Sequence, residues 1–117
     1  FLGQSSNASV NNLTNATAIG NGAEVTASNT IQLGNSSVTN VNTSGTITTS
    51  GSVGIGTTSL NSAAALEIVS TTKGLLLPRL TTAQRDAIGS PVAGLILYNT
   101  SDNQVQTYTG SAWVDLH

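Results

Sequence analysis

The chain has 117 residues, of which 38% are hydrophobic, 7% charged and 3% aromatic, with no Cys, no Met and a formal net charge of −2. Only three Lys and Arg are present, which excludes a basic footprint for nucleic acid. No apolar run reaches the roughly 18 residues needed to cross a membrane, and without Cys there is neither a disulfide framework nor a thiolate metal site. Ser, Thr, Asn and Gly dominate, which are residues of turns and polar strand faces and not the charged, Pro-rich vocabulary of disorder. Phe1 in first position, the lack of Met and the lack of a secretory signal pattern point to a piece of a longer chain. A thiol-free composition suits a particle that lives outside cells.

Charge is unevenly placed. Up to Leu60 the only charged side chain is Glu24; Glu67, Lys73, Arg79, Arg85, Asp86, Asp102 and Asp115 all follow, as do both Pro and the only His. We therefore expect two regions, 1–60 and 61–117. In the first, Ile19, Ala23, Val25, Ala27, Ile31 and Leu33 occupy odd positions while Gly, Thr, Ser, Glu and Gln fill the even ones. Alternation resumes through Val41, Thr43, Gly45, Ile47, Thr49, Gly51, Val53 and Ile55. A period of two predicts extended strands with one apolar face, and Gly45 and Gly51 predict kinks or turns within the second stretch.

A short repeat runs through the same region. Ala18-Ile19-Gly20-Asn21 recurs fourteen positions later as Gln32-Leu33-Gly34-Asn35, with Phe1-Leu2-Gly3 an imperfect earlier copy. Gly followed by Asn supplies the positive φ of a tight corner, so each copy reads as one coil of a β-roll or solenoid. Small inner residues bury too little apolar area in one chain to offset backbone ordering of about 1–2 kcal/mol per residue. Several copies on a common axis would close the stripes inward. A monomeric β-sandwich half is the plainer alternative, but it needs bulkier inner faces.

The stretch Ala18–Val25, followed by Leu33-Gly34-Asn35, resembles the fourteen-residue head repeats of trimeric autotransporter adhesins. Continued by Val38-Thr39-Asn40-Val41 and Val53-Gly54-Ile55-Gly56-Thr57, it also resembles repeats of phage tail fibres. The resemblance implies a trimeric left-handed β-roll and then an intertwined stalk. Ala27 stands where the adhesin repeat has Gly and the second copy decays after Asn35, so a short roll is expected.

In the second region, Leu66, Ile68 and Ser70 share a strand face, Lys73-Gly74 reads as a turn, and Leu75-Leu76-Leu77 is an apolar run halted by Pro78. Thr81 and Gln84 match capping-box spacing for a short helix with Leu80, Ala83, Ala87 and Ile88 on one face, ended by Gly89 and Pro91. A β-meander follows: Leu95–Thr100, a turn at 101–103, Gln104–Thr109, a turn at Gly110-Ser111, and Ala112–Leu116. Lys73–Ile88, Ala93–Thr100 and Tyr108–Val114 together resemble a module repeated in phage tail-fibre and bacterial fibre or surface proteins.

Catalysis has little support. His117, the lone His, excludes an intrachain triad or His-rich metal site. Three copies of it on an axis would hold a metal only with a fixed surrounding shell, and no metal is assigned. Glu67, Asp86, Asp102 and Asp115 sit in separate elements as solvated charge, Asp102 with Asn103 being turn chemistry. Arg79, Arg85 and Asp86 are candidates for ion pairs that lock the helix to the fold, set against an exposed face worth little. Tyr98, Tyr108 and Trp113 read as meander core, with stacking on sugar rings as the alternative. Asn7, Asn12, Asn15, Asn35, Asn42 and Asn99 begin Asn-x-Ser/Thr triplets that this composition produces by chance.

The expectation is a mainly β chain: a trimeric, intertwined β-roll and β-stalk fibre over 1–60, then a compact module over 61–117 with a small β-meander and one short helix. It is expected to be non-enzymatic, with no catalytic, cofactor-binding or metal residues and no cofactor. Expected partners are two further copies, other fibre or baseplate proteins and host surface glycans, with no nucleic acid and no membrane insertion. The expected place is an extracellular phage or phage-like tail fibre supporting host attachment. A bacterial trimeric adhesin head and part of a polysaccharide-degrading tailspike are the alternatives.

Overall fold

The computed structural model describes residues 2–117 and is mainly β, with one short helix among the described residues. It divides into two compact units, one ending at Thr48 and the other running Thr49–His117. The sequence changes vocabulary near Leu60. The structural division falls earlier because Val53–Ile55 finds its hydrogen-bonding partner in Leu66–Ile68.

In the first unit, β1 (Asn7–Ala8), β2 (Ala16–Ile19), β3 (Glu24–Val25) and β4 (Thr30–Leu33) form two parallel pairs, β1 with β3 and β2 with β4. Ala18 pairs with Gln32 and Ile19 with Leu33, so the sequence repeat is also a spatial one. Side chains stack in the same register. Asn15 Nδ2 donates to Asn29 Oδ1 at 3.2 Å, Asn35 Nδ2 to the Asn21 carbonyl at 3.0 Å, and Thr14 N–H to Ser28 Oγ at 3.1 Å. Leu2 bridges Ile19 in the same parallel sense. Gly3, Gly20 and Gly34 all have positive φ, and a Cβ on Gly20 would sit 3.2 Å from the Gly34 Cα. Leu2-Gly3 therefore behaves as a third copy; Phe1 lies outside the described residues.

The interior of these coils is thin, consisting of Ala18, Ala23 and Val25, fully buried, with Ala8, Leu13 and Ala16 packed against them. The alternation does not keep one phase. Odd residues Ala23 and Val25 point inward at β3, but in β2 it is Ala18 that is buried, with Ile19 only half-buried. In β4 Ile31 and Leu33 are exposed while Gln32 is half-covered. The phase inverts across the Gly20-Asn21-Gly22 corner, where φ is positive at both glycines. A coil this narrow accepts Ala18 and leaves no room for Ile19, Ile31 or Leu33.

Beyond Asn35 the expected strands do not form within one chain. Residues 35–56 are exposed throughout, and of the alternating stretch from Val41 only β5 (Val53–Ile55) is a strand. Its turns are local, with Thr43 Oγ1 donating to the Gly45 carbonyl at 3.4 Å and Thr49 Oγ1 to the Gly51 carbonyl at 3.1 Å. Extended backbone needs a neighbour for its hydrogen bonds, and a single chain offers 41–52 none among the described residues.

In the second unit β5 pairs in parallel with β6 (Leu66–Ile68), placing Ile55 beside Ile68. The turn expected at Lys73-Gly74 falls slightly earlier, because Ser70 Oγ accepts from the N–H groups of Thr72 at 3.2 Å and Lys73 at 2.9 Å. Then β7 (Arg79–Leu80), α1 (Thr82–Asp86), β8 (Ile96–Asn99), β9 (Gln104–Tyr108) and β10 (Trp113–Asp115) form a lobe. Its sheet has the order β10-β9-β8-β7, a meander with β7 added in parallel at the edge. The capping box is present: Thr81 Oγ1 accepts from Gln84 N–H at 3.3 Å, and Gln84 Oε1 accepts from Thr81 N–H at 2.9 Å.

Candidate functional site

Two features of the second unit stand out: a closed polar cluster in the lobe and an open apolar face beside it. The cluster centres on Asn99, which is 0% exposed, and Gln106, also buried. Alternation along β8 turns Leu97 and Asn99 inward together. Asn99 Nδ2 donates to Thr82 Oγ1 at 3.0 Å, Asp102 Oδ2 at 2.8 Å and Gln106 Oε1 at 3.0 Å. Its Oδ1 accepts from Ser101 N–H at 2.9 Å. Gln106 Nε2 donates to Asp115 Oδ1 at 2.9 Å and Asp102 Oδ2 at 3.3 Å.

Arg85 closes the cluster from the helix side. Its NH1 donates to Gln106 Oε1 at 2.7 Å, its NH2 lies 2.8 Å from Asp86 Oδ1, and NH1 is 3.9 Å from Asp102 Oδ2. The guanidinium carbon stands 5.9 Å from the Trp113 ring centre, within cation–π range. Tyr108 and Trp113 are tilted neighbours with centres 5.3 Å apart. Among the described residues no buried side-chain polar atom lacks a partner. The arrangement ties α1, β8, β9 and β10 together and is chemically self-satisfied.

Of the expected locking charges only Arg85 ties the helix to the sheet, through Gln106 and, at 3.9 Å, Asp102; its pair with Asp86 lies within the helix, and Arg79 is exposed and lines a groove with Leu77, Tyr98 and Val105. The carboxylates are less scattered than their sequence positions imply. Asp102 and Asp115 converge on Gln106, because antiparallel pairing sets Asp115 opposite Gln106. Tyr98, Tyr108 and Trp113 are half-buried, not fully enclosed. Glu67 stays apart, its Oε2 accepting from Asn61 N–H at 2.6 Å. No group of three metal-ligating side chains occurs among the described residues, and His117 ends the chain beyond β10. Of the glycan triplets, Asn99 is enclosed with its amide nitrogen fully engaged, which bars modification there.

The sequence marked Asn99 only as the start of an Asn-x-Ser/Thr triplet and did not single out Gln106. The one signal for their shared burial was position on alternating strands of the meander, which does not by itself say which face is inward.

The open face is built on the β5–β6 pair. Parallel strands are normally covered on both faces, yet Val53, Ile55, Leu66 and Ile68 are all exposed. Next to them Leu75 is 66% and Leu76 74% exposed. Among the described residues, 74–77 make no backbone hydrogen bond. Ile55, Ile68, Val69, Leu75 and Leu76 line an open groove of about 410 Å³. Leu75 and Leu76 also line the groove of about 210 Å³ next to Arg79 and Tyr98.

A bare parallel pair beside a self-contained lobe is the surface of a chain that associates with others. Residues 54–117 match the family model described as phage tail like trimerisation region, which covers more than half of the chain, and the chain belongs to that family. It is thus a trimeric, phage tail-type structural segment of virion or extracellular location. No curated protein and no solved structure matches it significantly. No helix among the described residues is long and apolar enough to cross a membrane.

Proposed function

We propose that this chain is a structural segment of a homotrimeric extracellular fibre, in a phage or phage-like tail, that holds a receptor-binding tip away from the particle and so supports attachment to the host cell. Its work is mechanical and not catalytic. The observation that carries this reading is the long exposed run 35–56, whose Val38, Val41, Ile47, Val53 and Ile55 stay in solvent in a single chain that belongs to a trimerisation family. Wrapped around two other copies, the same run is the stalk of a fibre, its apolar positions inward and its Ser, Thr and Asn in water.

The stacked coils of the first unit fit a short β-roll within that fibre. Leu2, Ile19 and Leu33 lie in register across successive copies and form an outer apolar stripe suited to a shared axis. Other fibre or baseplate proteins would be its partners in the particle, and host surface glycans would meet it at the exposed lobe. The fourteen-residue stacking equally favours a second reading, a bacterial trimeric adhesin head; the matched family favours the phage side.

Sedimentation equilibrium tests the core of this reading. A well-folded monomer at micromolar concentration would overturn it. Deleting 35–56 from the parent fibre is expected to abolish adsorption to host cells while leaving particle assembly intact; release of reducing sugar from host polysaccharide by the intact segment would instead establish catalysis.

A further inference from the structure

We infer that, within the matched region, trimer contact is made by the β5–β6 pair and the Leu75-Leu76 segment together with the edge of the meander at Arg79, Tyr98 and Val105, and that the helix–meander lobe otherwise folds as a unit within one chain. This rests on the trimeric reading above and names its contact surface, with the second and third copies of the chain as occupants.

Three observations separate the face from the lobe. The lobe satisfies its buried polar groups internally through Asn99, Gln106 and Arg85, and encloses Leu97. Of its exposed apolar side chains, Ile96 and Val114 flank Thr107 on the sheet face that carries Tyr98 and Val105, and neither they nor Val92 and Leu116 line a groove. The β5–β6 face has the opposite character: a parallel pair whose Val53, Ile55, Leu66 and Ile68 lie in solvent, an adjoining segment without backbone hydrogen bonds, and contiguous apolar side chains. Exposed apolar surface of this kind marks an association site.

The shape suits a cyclic trimer. In such an assembly one surface of each copy meets a different surface of the next. Leu75 and Leu76 line a groove on either side, so they stand as a ridge between two hollows. A ridge beside a groove on one chain supplies both halves of that contact. Lys73 is the charged side chain in the larger groove and Arg79 in the smaller. Both sit on flexible stems that can reach solvent as the apolar atoms are covered.

The test uses the whole chain. Wild type is expected to sediment as a trimer, and the double variant Leu75→Asp/Leu76→Asp as a monomer, with association weakened at least about a hundredfold and the near-UV signal of Trp113 retained. If wild type is itself monomeric, the trimeric reading fails. If wild type is trimeric and the double variant remains so, the assignment of the face fails alone. Loss of the Trp113 signal in the variant overturns the independence of the lobe. Because the chain has no Cys, single thiols give a second readout. Leu76→Cys is expected to cross-link between copies with a short bis-maleimide and Val92→Cys is not; equal cross-linking at both positions, or none at Leu76→Cys in a trimer, overturns the proposal.

Discussion

Asn99 sits where no water reaches it, so a hydrogen bond removed there is not replaced. Asn99→Ala strands the Ser101 N–H and removes the donor shared by Thr82, Asp102 and Gln106. Buried unsatisfied groups cost about 1–3 kcal/mol each, and we expect Asn99→Ala to lower the stability of the lobe by about 2–4 kcal/mol. Denaturant titration followed through Trp113, the only Trp, checks this. Gly56 makes a second case by a different mechanism. Its φ is 75°, and a Cβ there would strike the carbonyl of Val69, a residue held in place by its N–H donating to the Ile55 carbonyl at 2.9 Å. Gly56→Ala is expected to destabilise by more than the about 1 kcal/mol that left-handed backbone alone costs, and to loosen the β5–β6 pair, read as faster amide exchange at Val53 and Val69.

At the scale of elements, α1 is five residues long, far too short to persist on propensity. It survives through its ends: the Thr81–Gln84 capping box at the start and Arg85 reaching to Gln106 on β9 near the finish. Thr81→Ala is expected to cost about 1 kcal/mol and appear as a modest fall in melting temperature, with helix signal lost ahead of the meander. The capping box was readable from Thr81 and Gln84 alone because its chemistry is local. The meander was readable for the same reason, since its strands alternate with Gly, Asn and Asp turns. The phase of β2 and β4 was not. Whether Ala18 or Ile19 faces inward depends on how narrow the coil is, which alternation along the chain does not give.

For the whole molecule, apolar surface left in water by one chain has to be covered by others. Stability then depends on protein concentration through mass action. The melting temperature is expected to rise as the chain is concentrated from the micromolar range upward; a value independent of concentration would contradict obligate trimerisation. The sequence by itself determined the mainly β character, the fourteen-residue coils, the capped helix and the meander, because each rests on neighbours in the chain and on periodicity. It also carried the sense that one copy could not supply a core. Only the tertiary structure decided which apolar residues are left outside, that 41–52 finds no partner in its own chain, and that Asn99, Gln106, Arg85, Asp102 and Asp115 meet. Those outcomes depend on distances between segments far apart in sequence, where small inner residues and strand pairing set what can touch.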